Sequence, residues 1–150
     1  LTWGLKKKQR EAFRNMLEPL GLGLETRLGE RMKNLSGGQR QSITLTMATM
    51  NSPRLLLLDE HTAALDPETA KIVMQITDDI VKKAHLTTIM VTHNMRDAIR
   101  YGNRLIMMAD GKIIFDARDE EKAQLTVEEL IKKFSEKTGD VLPDTVILNK

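Results

Sequence analysis

The run Leu55-Leu56-Leu57-Leu58, closed by Asp59-Glu60, constrains this chain more than any other stretch. It is too short for a helical period to express itself and too apolar for a loop. Bounded by Asn51-Ser52-Pro53 on one side and the two carboxylates on the other, it reads as a strand buried on both faces, as in a parallel sheet. The next element agrees. Asp66-Pro67-Glu68 supplies an N-cap, a proline at the first helical position and an acid in the first turn. Ile72, Val73, Ile76 and Ile80 form the expected buried stripe, and Lys82 and Lys83 suit the helix's C-terminal end. Residues 86–92 (LTTIMVT) make a second β-rich run, closed by His93. Strand, helix and strand in succession predict an α/β layer architecture around a parallel sheet. Chemistry in such sheets gathers at the carboxyl ends of the strands, where Asp59, Glu60 and His93 fall.

The remaining pattern is helical at both ends. A helix is expected over 6–20, with Phe13, Met16, Leu17 and Leu20 on one face, ended by Pro19 and Gly21-Leu22-Gly23. A polar connector over 25–33 leads to a second helix over 37–50. A short helix over 95–100 precedes a hairpin over 104–115, turning on Asp110-Gly111. An amphipathic helix over 126–134 opens with a capping box, Thr126 to Glu129. At 150 residues the chain can bury a core, and with 3% aromatics that core must be aliphatic and methionine-rich. The net charge of +2 gives no sign of a nucleic-acid binder. The absence of cysteine excludes disulfides, thiol catalysis and cysteine metal sites. No apolar run approaches the roughly 20 residues of a membrane-spanning helix. No apolar signal region follows the N-terminal lysines. The chain therefore reads as cytosolic, a reading that includes a soluble subunit docked on a membrane partner.

Three groups of residues carry chemistry. Asp59 and Glu60 end an apolar strand as adjacent carboxylates, an arrangement that caps a loop or holds Mg²⁺ beside a phosphate, directly or through water. His93, closing the second strand in VTHN, can hydrogen-bond a phosphate from the same rim. His61 and His85 carry no such placement argument and read as structural or exposed. In NLSGGQRQ, residues 34–41, Ser36 and Gln39 form a capping box at a helix start. Capping does not require Gly37 and Gly38. Glycines there let another group approach the bare N–H donors of a positive helix end, which makes an anion site.

Taken in order, LSGGQRQ, LLLLDE, AALD and VTHN resemble the nucleotide-binding domain of ATP-binding cassette proteins, over about residues 13–115. In that family LSGGQ is the signature motif, LLLLDE the Walker B strand, Ala64-Leu65-Asp66 the D-loop and His93 the switch histidine. The resemblance implies two domains paired head to tail around two ATP molecules. Ser36, Gly37, Gly38 and Gln39 would bind the γ-phosphate of ATP held by the opposite subunit. Asp59 would bind Mg²⁺ through water, Glu60 would be the general base, His93 would contact the γ-phosphate, and Asp66 would couple the two sites. It also implies a partial P-loop NTPase fold whose parallel sheet lacks the Walker A strand. Residues 1–50 would belong to a helical subdomain, and 51–150 to the C-terminal part of the ATPase core.

The wording of the motifs looks like bacterial importer-type ATPase subunits, some associated with amino-acid uptake. These work with separate permeases and solute-binding proteins on the inner face of the cell membrane. The chain departs from the common pattern at His61 (usually proline), Ala63 (usually serine), and Ser42 and Met47 (often arginine). No G-x-x-x-x-G-K-[ST] phosphate loop occurs, nor the glutamine-bearing loop or the adenine-stacking aromatic that precede the signature in the family. The chain thus looks like the C-terminal part of a longer protein, inactive by itself, with an uncovered sheet edge. An alternative is the C-terminal lobe of a chromosome-maintenance or break-repair ATPase, but the long coiled coil it needs is interrupted by Gly21, Gly23 and Gly29. Another is a non-catalytic interaction module, against which the intact Ser36, Asp59, Glu60 and His93 speak.

Overall fold

The computed structural model describes residues 6–139; Trp3 and the tail from 140 lie outside them. Packing divides the chain into two units, Leu1–Met90 and Val91–Lys150.

The first unit opens with α1 (Lys7–Leu17), which Pro19 ends by way of a 3₁₀ turn, Glu18–Leu20. The chain then reverses through Gly21 and Gly23, whose φ of 67° and 68° only glycine adopts without strain. The stretch read as a polar connector, 25–33, overlaps two further 3₁₀ turns, Leu24–Thr26 and Met32–Asn34. Leu24, just before that stretch, is buried with Leu17 and Leu35. Helix α2 (Gly37–Thr49), strand β1 (Leu56–Asp59), helix α3 (Pro67–Lys83) and strand β2 (Thr88–Val91) follow. The strands pair in a small parallel sheet with α3 as the crossover. The Leu56 N–H donates to the Thr87 carbonyl at 2.9 Å.

Leu45 of α2, Leu56 and Leu58 of β1 and Ile76 of α3 form the core, with Ile80, Leu86 and Met90 packed on it. Two sequence expectations change here. β1 is buried on one face: Leu56 and Leu58 point inward, whereas Leu57 is 67% exposed, and Ile89 of β2 is 55% exposed. A parallel strand is covered on both sides only where layers exist on both sides, and among the described residues of this unit helices cover one. The stripe of α3 also rotates: Ile72 is 45% exposed, and Val73, Met74, Ile76 and Thr77 are buried. Burying a Val73-sized side chain is worth roughly 1.5–3 kcal/mol.

In the second unit, α4 (Met95–Arg100) is capped by Asn94, whose Oδ1 accepts from the N–H groups of Arg96 and Asp97. The hairpin pairs β3 (Arg104–Ala109) with β4 (Lys112–Arg118), three residues longer than expected. Asp110 and Gly111 both have positive φ, as a two-residue hairpin turn requires. Arg104 and Asp116, diagonal neighbours across the strands, form a bidentate pair at 2.9 and 2.6 Å. A short helix that the sequence reading missed, α5 (Asp119–Ala123), buries Lys122, whose ammonium donates to the Ile99 carbonyl and so caps the C-terminal end of α4. Helix α6 (Val127–Thr138) starts at the Thr126–Glu129 capping box, made reciprocally as expected, and ends at Gly139 with φ 75°.

Candidate functional site

At the start of α2, Ser36 Oγ accepts from the Gln39 N–H at 3.2 Å, and Gln39 Oε1 accepts from the Ser36 N–H at 3.1 Å. The N–H groups of Gly37 and Gly38 belong to the first turn and so lie outside the intrahelical ladder. That turn carries no acidic side chain, unlike those of α3 and α6. Its positive end is uncompensated, as an anion site requires.

The glycines also have a packing reason that sequence reasoning missed. A Cβ on Gly38 would stand 2.4 Å from Thr69 Cγ2, and one on Gly37 would stand 3.0 Å from Leu65 Cδ2. Gly38 therefore lets α2 cross close against the first turn of α3. The serine, the glycines and the segment leading into α3 are one packed assembly. Gln39 has local work as well. Its Nε2 donates to the Leu22 carbonyl at 3.1 Å, and its Oε1 also accepts from Arg27 at 3.2 Å. Arg27 in turn donates to the Asn34 carbonyl.

β1 delivers Asp59 and Glu60 at its carboxyl end, both exposed. Glu60 has φ 42°, a left-handed conformation that costs a non-glycine residue about 1–3 kcal/mol and marks functional sites. The turn after it is closed by Ala63 N–H to the Glu60 carbonyl at 2.9 Å and Leu65 N–H to the Thr62 carbonyl at 3.1 Å. Asp66 then caps α3, accepting from the Thr69 N–H at 3.0 Å. Hydrogen bonds from the Thr69 hydroxyl and then its N–H hold the Asp66 carboxyl below its ordinary pKa. His61 is half-buried and hydrogen-bonded through Nε2 to Thr77 Oγ1 at 3.1 Å; burial lowers its pKa.

His93 lies in the second unit and is exposed. It sits in a fixed bend: Asn94 N–H donates to Thr92 Oγ1 at 3.0 Å, and Asn94 caps α4. Burial raises the Asp97 pKa, against the opposing charges of Arg100 and then His93. The structure thus joins Ser36, Gly37, Gly38 and Gln39 to the Asp66 cap of α3 through the contacts at Leu65 and Thr69. It sets Asp59 and Glu60 at the strand end just before that cap. His93 belongs to the second unit.

Among the described residues no cluster of three acidic or histidine side chains could hold a metal unaided. Asp59 fits the other mode of Mg²⁺ binding, in which one or two carboxylates combine with water and substrate phosphate. No described helix is long and apolar enough to cross a membrane.

Residues 4–63 match the family described as ABC transporter. The chain is 50% identical over 133 residues to a tyrosine transport ATP-binding protein of Clostridioides difficile, covering 87% of this chain and 53% of that protein. It is 34% identical over 131 residues to a methionine import ATP-binding protein of Bacillus subtilis, covering 87% of this chain and 38% of the relative. Among solved structures it matches the dimeric post-hydrolysis ATP-binding cassette MJ0796 bound to ADP and Pi. That match has a TM-score of 0.60 and 27% identity, covering 79% of this chain and 50% of the other. The chain thus spans about half the length, or less, of these relatives.

Proposed function

We propose, on the premise that this chain belongs to the ATP-binding cassette transporter family, that it is the C-terminal, signature-bearing part of an ATP-hydrolysing subunit that energises solute import through a separate permease. The observation that carries this reading is the start of α2. A Ser36 cap, two glycine N–H donors outside the helix ladder and an acid-free first turn form a cradle for phosphate oxygens. In this reading Ser36, Gly37 and Gly38, with Gln39 beside them, form the cradle for the γ-phosphate of ATP bound to a second copy, paired head to tail. With Gln39 already bonded to Leu22 and Arg27, its part is to hold the cradle rather than to reach into it.

Glu60 accepts the proton of the attacking water as general base, and His93 donates to the γ-phosphate. Asp59 would hold Mg²⁺, and the ion would supply neutralisation of phosphate charge. Asp66, through its cap and its place beside Leu65, couples one nucleotide site to the other. Residues 1–50 act as the helical subdomain that passes conformational work to the permease, with 51–150 as part of the ATPase core. A solute-binding protein completes the system, which sits on the inner face of the cell membrane. The tyrosine and methionine relatives favour an amino acid as cargo.

Glu60→Gln in the full-length subunit tests the chemistry. ATP binding should persist while turnover falls by at least ~100-fold, within the range general-base catalysis supplies. Hydrolysis at the original rate would remove Glu60 from this role.

A further inference from the structure

We propose that His61 is a positioning residue for Glu60: its hydrogen bond to Thr77 in α3 pins the strained turn that sets where the Glu60 carboxylate stands. The inference rests on Glu60 being the general base. A left-handed non-glycine backbone persists only where its surroundings over-determine it. The two backbone bonds of the turn, at Glu60–Ala63 and Thr62–Leu65, close the loop upon itself. The His61 ring reaches across to α3, where Thr77 is 4% exposed and belongs to the buried face of the helix.

The hydroxyl's own proton is committed, since Thr77 Oγ1 donates to the Val73 carbonyl at 2.8 Å. The threonine oxygen therefore accepts, and His61 donates from Nε2. A directional bond from a half-buried ring to a buried hydroxyl fixes the residue next to Glu60 in both distance and orientation. The histidine also suits the backbone. Proline at position 61, common in the family, would press its predecessor toward extended conformations. Glu60 at φ 42° is not extended.

The test is steady-state ATP turnover by the full-length subunit, with kcat and KM separated. His61→Ala and Thr77→Val should each lower kcat roughly tenfold, as misplacement of a reacting group does, with KM for ATP changed less than about twofold. The double variant should be no slower than the slower single, because both remove one bond. His61→Gln and Thr77→Ser, which retain a donor and an acceptor respectively, should recover most of the loss. A kcat within about twofold of the parent for Thr77→Val, or losses that multiply in the double variant, would overturn the proposal. So would a matching rise in KM, the mark of a generally disturbed nucleotide site. If His61→Ala fails to fold, the Thr77→Val and Thr77→Ser pair decides in the same terms. Glu60→Gln, run beside them, separates the premise from the inference: full turnover in that variant overturns both, whereas its loss with normal Thr77→Val activity overturns only the role of His61.

Discussion

The two helix starts that meet in the first unit are capped alike and furnished differently. Ser36 and Asp66 each accept the N–H of the residue three positions on, closing one of the donors a helix start leaves open. After Asp66 come proline, which has no N–H to satisfy, and Glu68, which offsets the positive end. After Ser36 come two glycines and no acid. The start of α3 is electrostatically complete, whereas that of α2 keeps its donors and its charge available. The difference teaches that a cap alone leaves the positive end of a helix uncompensated, and that a proline and an acid complete it.

The largest expected effect comes from closing the contact between the two starts. Gly38→Ala pushes a methyl against Thr69 Cγ2 and should cost about 1–3 kcal/mol by thermal unfolding, as overpacking does. Adding Thr69→Ser, which removes that methyl and keeps the hydroxyl, should restore at least half of the loss. If Gly38→Ala is neutral, packing is not the reason for this glycine. Ser36→Ala should cost about 1 kcal/mol by the same measurement through the lost cap. Gly37→Ala should be milder still, below ~1 kcal/mol, because Leu65 Cδ2 ends a side chain that can move aside. That variant should nonetheless slow ATP turnover in the full-length subunit, and unchanged turnover would separate Gly37 from phosphate binding.

The smallest effect concerns charge at the α3 start. The folded pKa of Asp66 lies below its ordinary value of 3.8. Its ionised form therefore contributes stability that is complete above that value and is lost as pH falls through the lower, folded value. Asp66→Asn keeps an N-cap side chain and removes this dependence. Melting curves of parent and variant should be furthest apart above pH 3.8 and should converge as pH falls through the lower, folded value; parallel curves across that range would refute the assignment.

Local rules made much of this legible in advance. Both caps, the Thr126 capping box and the Asp110-Gly111 turn depend on residues within four positions of one another, and each forms as expected. The errors arise where the answer lies elsewhere in the fold. Whether Leu57 is buried depends on a second layer over the sheet, and whether Ile72 is buried depends on how α3 rolls against α2. Leu24 lay between the Gly21–Gly23 break and the polar connector over 25–33, where a lone leucine has no periodicity to reveal it. Within the candidate site of the first unit, the type and order of Ser36, Asp59, Glu60 and Asp66 were readable from motifs, as was His93 in the second unit. The partners were not: Thr69 for Gly38, and Thr77 for His61, come from another element and bear no signal at the position they serve.

The side chain of Gln39 has a mechanical consequence. It grips the Ser36 amide, the Leu22 carbonyl and the Arg27 guanidinium at once, at 3.1 to 3.2 Å. The bend at Gly21–Gly23 and the head of α2 are therefore laced together by one amide group. A pull on that bend is felt at the serine without first passing through the leucine core, much as a tendon moves a finger without moving the palm.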